Sequence, residues 1–501
     1  MANYQRPGVF VNEVLTVANP DQGQTADAAA AFIAECHRGP VVPTLVSSWS
    51  GFTSQFGDFS NSTYLAQAVY AYFQNGGSQA YISRVATSTQ VTALRVLNDT
   101  GVTPVPTLQV SAFSAGVWGN QIFIDVTASF VTGRFNLVVY YGGTSATNVV
   151  ETWSDLSMSP SDPRYAITTV NGSSLYVVLA DQGSATVAPN NAPAVQSGVA
   201  LASGADGVAP TAAEYLASAQ LLTTLERVLV VNAPGVVDVT TLNNILGVAT
   251  GIGTMFVVVD PPANSTVAGV ASFAASLTPT SQAAVYYPWV VVSDPSRYTP
   301  GTKVAQPPGG SVVGQYLSND AASGPFQTPA GVRARLQGVV DLQNKLSSSD
   351  YDSLNSGAVP VNGIKSVPGY GICIFGGRTI KNGYPDRYIA VRRSLMFIEQ
   401  SSKNLTQFAI FEPNDYRLYT ALTSVLSSFL NSYYAKGGLA GSSPGQAFYV
   451  KCDNTNNTAS SIQSGVVNIE IGVALEYPAE FIVIRIGQFE GGSTISNSLA
   501  Q

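Results

Sequence analysis

Val228-Leu-Val-Val231, Met255-Phe-Val-Val-Val259 and Ala283-Ala-Val-Tyr-Tyr-Pro-Trp-Val-Val-Val292 are short runs that are apolar on both faces. A strand with one wet face alternates apolar and polar residues, whereas a strand covered on both sides reads as a continuous apolar run. Stretches of helical period lie around them, at Ala212–Leu222, near Thr240–Ala249 and near Thr266–Leu277. Buried strands spaced by helices predict a parallel sheet with right-handed crossovers, and the last run is read as one strand, Val285–Val292.

Upstream, strand, helix and strand recur at Ala30–Ala34, Tyr64–Phe73 and Ala80–Val85, the last after the breaker Asn75-Gly-Gly77. The α/β core is therefore expected over 23–90 plus 205–345. Residues 91–204 interrupt it with short β-rich runs, Gln121–Val126, Phe135–Tyr141 and Leu175–Leu179, and read as a β-rich variable insertion facing outward. Residues 346–368 read as a linker and 369–490 as a C-terminal α+β domain. In that domain Asn414 is an N-cap candidate, Leu418, Leu422, Val425, Leu426 and Phe429 recur at helical spacing, and Gly437 stops the run. Val467, Ile469, Ile471 and Val473 then share one strand face. Residues 1–22 read as an extended arm containing the strand candidate Val9–Val14, and 491–501 as a polar tail. The fold class is mixed α/β and β, multidomain.

The chain has 501 residues, 45% hydrophobic, enough for two or three domains with real cores. Only 11% of residues are charged, against roughly 25% in an average soluble protein. Two readings of that deficit stand: a surface covered by other subunits, or a Ser/Thr/Asn-rich β-protein made polar by neutral groups. The net charge of −7, with thinly spread Lys and Arg, argues against a nucleic-acid groove. Cys36, Cys373 and Cys452 are odd in number and far apart, which suits reduced thiols made in a cytoplasm. The N-terminus has no signal-peptide pattern, and no apolar run reaches the ~18 residues of a membrane span.

Catalytic patterns are scarce. The single histidine, His37, follows Cys36, and on a strand the two would face opposite ways. Dispersed cysteines and one histidine make no zinc cluster. Gly371-x4-Gly376-Gly-Arg-Thr379 lacks the lysine of a phosphate loop and reads as a turn after the strand Ile372–Phe375. Gly251-x-Gly253 precedes a strand, the wrong setting for a dinucleotide fingerprint. Asp260-Pro-Pro262 and Asp294-Pro295 read as strand-closing turns. No catalytic, cofactor or metal residue is assigned.

Several segments in order resemble the contractile bacteriophage tail sheath family: Tyr4-Gln-Arg-Pro-Gly-Val-Phe-Val-Asn-Glu13, Tyr287-Pro-Trp-Val-Val-Val-Ser-Asp-Pro295, Gln306-Pro-Pro-Gly-Gly310, Thr328-Pro-Ala-Gly331, Gly376-Gly-Arg-Thr379, Tyr388-Ile-Ala-Val-Arg-Arg393, Phe411-Glu-Pro-Asn-Asp415, Phe448-Tyr-Val-Lys-Cys-Asp453 and Tyr477-Pro-Ala-Glu-Phe-Ile482. The resemblance is densest over 280–490 and absent over 91–202. It implies a subtilisin-like α/β middle domain without protease function. It also implies a non-enzymatic subunit, without cofactor, made in the host cytoplasm and located in the virion. Its partners would be copies of itself in helically stacked hexameric rings, the inner tail tube protein, and the baseplate and tail terminator proteins. Neither nucleic acid nor membrane insertion is implied. The inter-subunit arm strands would use Val9, Phe10, Val11 and Val14 at one end and Phe481, Ile482, Val483, Ile484 and Ile486 at the other. The helix Asn414–Lys436 is a candidate for facing the tube. Two alternatives are a subtilisin-like hydrolase and the sheath of a pyocin-like injection particle.

Overall fold

The computed structural model describes residues 25, 27–59, 63–296, 301–385 and 387–480. The chain enters at β1 (Ala28–Ala34), forms the short strand β2 (Thr44–Val46), then helices α1 (Trp49–Phe56) and α2 (Leu65–Gln74), and returns in β3 (Ala80–Arg84). It leaves for the insertion and comes back through α4 (Ala212–Leu221), β11 (Val228–Asn232), α5 (Val239–Ile252), β12 (Met255–Val259), α6 (Val267–Ala275) and β13 (Ala283–Tyr287). After β14 (Val290–Ser293), β15 (Lys303–Gln306), α7 (Gly309–Ala322) and β16 (Val339–Leu342) come α8 (Ser348–Ser356), β17 (Val361–Val367) and β18 (Gly371–Phe375).

Eight of these strands make one sheet in the order β18-β17-β13-β12-β11-β1-β3-β2. The six inner strands are parallel, and β18 and β2 close the edges antiparallel. Residue parity explains the apolar runs. Ala30, Phe32, Val230, Phe256, Val258, Ala284 and Tyr286 face α2, α7 and α9 (Ile389–Leu405), while Ala29, Ala31, Val231, Val257, Val259, Ala283 and Val285 face α4, α5, α6 and α8. Two helical layers cover the sheet, so neither face of the inner strands β11, β12 and β13 meets water. The helices start where their caps say: Thr211 and Glu214 form a capping box on α4, and Asp238 accepts from the Thr241 N–H of α5.

Three boundaries differ from expectation. The run Ala283–Val292 is two strands, because Pro288 offers no ladder donor; β13 stays in the large sheet and β14 crosses to a three-stranded sheet, β15-β14-β16. Residues 346–368 are not a linker: they contain α8 and β17, an interior strand between β13 and β18. Their polar composition misled because Asn362, Gly363 and Ser366 stand beside the four apolar residues that reach the core, Leu354, Val359, Val361 and Ile364. β18, expected in the C-terminal domain, is an edge of the core sheet.

Between β3 and α4 stands the insertion. β4 (Leu94–Asn98), β5 (Pro106–Ala112) and β9 (Val177–Asp181) form one antiparallel sheet, and β10 (Gln196–Ala200), β6 (Ile122–Ala128), β7 (Arg134–Tyr141) and β8 (Val149–Ser157) form the other. With the short helix α3 (Ala166–Asn171) they enclose a single core around Leu108, Trp118, Ile124, Leu137 and Leu179.

The C-terminal part consists of α9, α10 (Tyr416–Ala435), the one-turn helices α11 (Pro444–Ala447) and α12 (Ala459–Gln463), and the pair β19 (Phe448–Lys451) and β20 (Glu470–Val473). Asp415, not Asn414, caps α10, its carboxylate accepting from Arg417 and Leu418 N–H; Asn414 instead accepts from the Tyr419 hydroxyl.

Candidate functional site

Open α/β sheets bind ligands beyond the carboxyl ends of their strands, where strand order reverses. Here that place lies beyond β1, β3 and β11, and it is filled by the chain itself. The Arg84 guanidinium, fully buried at the end of β3, donates to the carbonyls of Cys36, Gly39 and Ala115. Arg38 donates to Thr53 and Ser54 carbonyls at 3.0 Å, and its guanidinium carbon lies 4.6 Å from the Tyr176 ring, 5.5 Å from Tyr141 and 5.6 Å from Trp118. Those three rings belong to the insertion, so a caged cation fastens it over the crevice.

The catalytic candidates of the sequence fall apart there. Burial pushes the Cys36 thiol up to about 12, and it donates to the Arg38 carbonyl; His37 is exposed beside it. A thiol held protonated is no nucleophile. Gly376 and Gly377 open no helix: Arg378 N–H goes to Asn362 Oδ1 on β17, and the segment packs against the sheet. Among the described residues no cluster of three or more His, Cys, Asp or Glu is arranged to hold a metal. Nor is any helix among them long and apolar enough to cross a membrane.

Asp260 is more than the turn residue it seemed. It is buried at the end of β12, where it accepts from Asn232 Nδ2 at 3.0 Å, Gly235 N–H at 3.2 Å and Gly309 N–H at 2.7 Å. Gly309 opens α7, so the carboxylate pins that helix to two strand ends. Burial raises its pKa to about 6 against the pull of those three donors. No local pattern announced this role, because the partners come from three separate elements. The same holds for Arg393, buried on α9, which takes Asp320 of α7 in a two-pronged ion pair beneath the Tyr316 ring.

The features suited to a partner lie in the C-terminal part. β19 and β20 pair antiparallel, Phe448 with Val473 through Lys451 with Glu470. Phe448, Val450, Ile471 and Val473 turn inward onto the α10 side, against Phe429, Leu430 and Tyr433. On the outer face the Tyr449 ring lies over Gly472, where any Cβ would fall 2.1 Å from it, and its hydroxyl donates to Glu470. Each strand has a second edge with no ladder partner among the described residues. Two strands alone are marginal, and an open edge is a template for a further strand.

Beyond β20 the pairing runs on for one residue and Leu475 then bridges to Leu439. Ala474 N–H donates to the Ala447 carbonyl, and the Ala474 carbonyl accepts from Ala440 N–H. The Tyr477 ring stacks on Tyr384 at 5.8 Å and meets Tyr388 edge-on at 6.1 Å. Glu480 receives Arg378 Nη2 at 2.7 Å and Nε at 3.2 Å, Asn355 Nδ2 at 3.3 Å and the Tyr388 hydroxyl at 3.4 Å. Pro478 to Glu480 form one wall of a recess of about 520 Å³ whose other walls include Phe375, Gly377 and Tyr388. The arm residues expected from the sequence, Val9, Phe10, Val11 and Val14 and then Phe481 through Ile484 with Ile486, lie outside the described residues.

An eight-stranded α/β sheet with an inserted β-sandwich and a helical C-terminal part carrying the β19–β20 pair defines a class: the chain has the fold of contractile sheath proteins. The likeness is structural, since neither family models nor curated proteins give a sequence match. The chain is similar to the sheath of an extracellular contractile injection system, PVC, in its contracted state, with TM-score 0.60 and 20% identity over 98% of this chain and 99% of that one. It is similar to the helical sheath of the anti-feeding prophage in its contracted state, with TM-score 0.59 and 18% identity over 97% and 100%. It is also similar to a sheath tail protein of Listeria innocua, with TM-score 0.61 and 13% identity over 91% and 97%.

Proposed function

We propose that this chain is the sheath subunit of a contractile tail or injection particle, a structural protein that polymerises around an inner tube and shortens to drive that tube into a target. The observation that carries the reading is the end-to-end correspondence with two solved sheaths, over 97–98% of this chain and 99–100% of theirs. A partial match would have left room for a shared domain in an unrelated protein. On this reading copies stack as six-membered rings, and the inner tube, baseplate and tail terminator are the other partners. A phage virion and a pyocin-like particle are both compatible with it.

Linkage runs through strands donated between copies, Val9–Val14 from one end and Phe481–Ile486 from the other, onto the open β19–β20 pair. A six-residue strand spans roughly 20 Å and makes ~5 backbone hydrogen bonds, about 5 kcal/mol net. Ordering six residues costs ~6–12 kcal/mol, so hydrogen bonds alone do not hold it. Val9, Phe10, Val11, Ile482 and Ile484 supply the rest at ~1.5–3 kcal/mol each on burial. A donor strand rich in apolar side chains is what this arithmetic requires. Repetition through a lattice adds avidity, and head-to-tail contacts generate an open tube.

The hydrolase reading has less support, because the crevice where such a sheet binds ligands is packed with Arg84, Arg38 and the insertion. Electron microscopy of the purified full chain beside a version lacking residues 1–15 tests the proposal. Hollow tubes from the full chain that vanish on truncation support it. A full chain that stays monomeric even with its tube protein present rules it out.

A further inference from the structure

We infer that the turn at residues 409–412 of one copy is a plug that seats in the recess walled by β16, α8 and the β17–β18 hairpin of a second copy. This deepens the reading of the chain as a self-assembling sheath subunit and rests on it. Ile410 has φ −69° and ψ 123°, Phe411 has φ 70°, and the Glu412 N–H donates to the Ala409 carbonyl at 3.2 Å. Those values describe a type II turn with phenylalanine in the position that favours glycine. A left-handed backbone is strained for any residue with a Cβ, and more so for a bulky one. Nothing within its own copy offsets that strain, because the Phe411 side chain is 102% exposed and Ile410 beside it 65% exposed. Strain and full exposure on one aromatic residue mark a side chain held out for a partner.

The recess measures about 530 Å³, and its apolar wall includes Leu336, Val340 and Tyr351, of which Val340 is exposed. Arg335, Lys345 and Lys365 line it too, against the single carboxylate of Asp341. None of these three cations is in an ion pair among the described residues. Lys365 Nζ lies instead 5.1 Å from the Phe375 ring and 5.5 Å from Tyr351. Two excess positive charges in one partly apolar hollow stand out on a chain of net charge −7. Such a hollow suits an apolar group with an anion beside it. Phe411 and Glu412 present that pair: Glu412 is exposed, and its carboxylate has no partner among the described residues. The cation nearest in sequence, Arg417, turns onto Tyr416, its Nε donating to that hydroxyl at 3.4 Å.

Other hollows fit this plug worse. The one beside Pro478 carries the Glu480 carboxylate, and the one beside Trp49 carries Asp58. The one at Arg393 holds only about 150 Å³, and its cation is already taken by Asp320; a further one is walled by the turn itself. Plug and recess do not meet within one copy, since the Phe411 ring is bare. A projection that fits a pocket elsewhere on the same chain makes a heterologous contact, and repetition closes a ring or continues as an open helix. An aromatic anchor in a pocket is also where interfaces concentrate their energy. The joint needs no strand exchange, because the turn is fixed by its own hydrogen bonds and leads straight into the cap of α10 at Asp415.

Phe411→Gly gives the turn the residue its backbone favours and removes the ring, so it separates folding from docking. The thermal midpoint of the unassembled full chain should equal or exceed that of the wild type, while the concentration at which tubes form rises about tenfold or more. Glu412→Lys should weaken assembly as well, and adding K345E to E412K should restore it in part. Mixing F411C chains with V340C chains under diamide should give a covalent dimer that neither population gives alone. F411G tubes at the wild-type concentration, with no cross-link in the mixture, overturn the plug and leave the sheath reading standing. F411G chains that polymerise normally by themselves but no longer coat the inner tube protein assign the turn to the tube, which also overturns it. A wild-type chain that stays monomeric even with its tube protein sinks the sheath reading, and the plug with it.

Discussion

Gly310 stands where α7 crosses α2, and replacing it with alanine puts a number on how that crossing is built. An ideal Cβ there falls 2.3 Å from the Ala68 carbonyl oxygen and 2.5 Å from the Ala68 Cα. Both are backbone atoms of a buried helix, so no rotamer change relieves the overlap. Ordinary contact needs about 3.5 Å, and α7 has to retreat by about 1 Å along a helix whose next glycine, Gly314, has its own ideal Cβ 2.7 Å from the Tyr72 carbonyl oxygen. Overpacking of this kind costs about 3 kcal/mol, the top of the usual range, because the obstacle is main chain. Alanine returns about 1 kcal/mol in helix propensity, leaving a net loss of about 2 kcal/mol. Gly247→Ala on α5 is the matched control: that glycine is exposed, with nothing within 4 Å of its ideal Cβ, so the same change gains up to about 1 kcal/mol. The two variants should differ by about 3 kcal/mol, on opposite sides of the wild type, in urea unfolding of the monomeric chain followed by circular dichroism. Equal midpoints, or Gly247→Ala falling below Gly310→Ala, would refute the close-packed crossing.

Two further outcomes follow from buried charges. Asp260 has a folded pKa of about 6 against the ordinary 3.8, so the native state holds the proton more tightly than the unfolded chain. Its contribution is most favourable below about pH 4 and declines through about pH 6, by about 3 kcal/mol in all. The difference between wild-type and D260N stability should slope over that window and level off above pH 7; parallel curves would show that Asp260 does not titrate there. Arg38→Ala empties the aromatic cage and removes two carbonyl contacts, a loss of about 3 kcal/mol that loosens the insertion without dissolving either core. Limited proteolysis should then cut first near residues 86–91 and 203–210, and an unchanged digestion pattern would show that the cage does not hold the insertion.

How legible these features were depended on whether their cause was local. β11 and β12 were readable because strands buried on both faces leave a run of β-branched residues, and α10 because its apolar stripe repeats at helical spacing. Its cap was misread by one position, since Asn414 and Asp415 are both capping residues and only the folded chain shows which accepts the N–H groups. The break at Pro288 was visible, but hydropathy runs straight through it, and nothing local says that the two halves join different sheets. α7 was not foreseen: Pro307-Pro-Gly-Gly310 looks like a turn, and its glycines make sense only once α2 lies against them. α8 and β17 were taken for a linker because a strand carrying Asn362, Gly363, Lys365 and Ser366 looks polar until Asn362 is seen holding the Val285 and Arg378 carbonyls. The site was half legible: the motif segments were conspicuous, whereas the Arg378–Glu480 joint and the Asp260 pin depend on pairings across the fold.

The most direct test of the account is a helical reconstruction of tubes grown from the full chain, examined at the β19–β20 pair. The account predicts that strands from neighbouring copies extend this pair into a larger sheet, with apolar side chains of Val9–Val14 and Phe481–Ile486 seated between copies. Tubes in which the pair remains two-stranded, and the copies are joined through other surfaces, would contradict it.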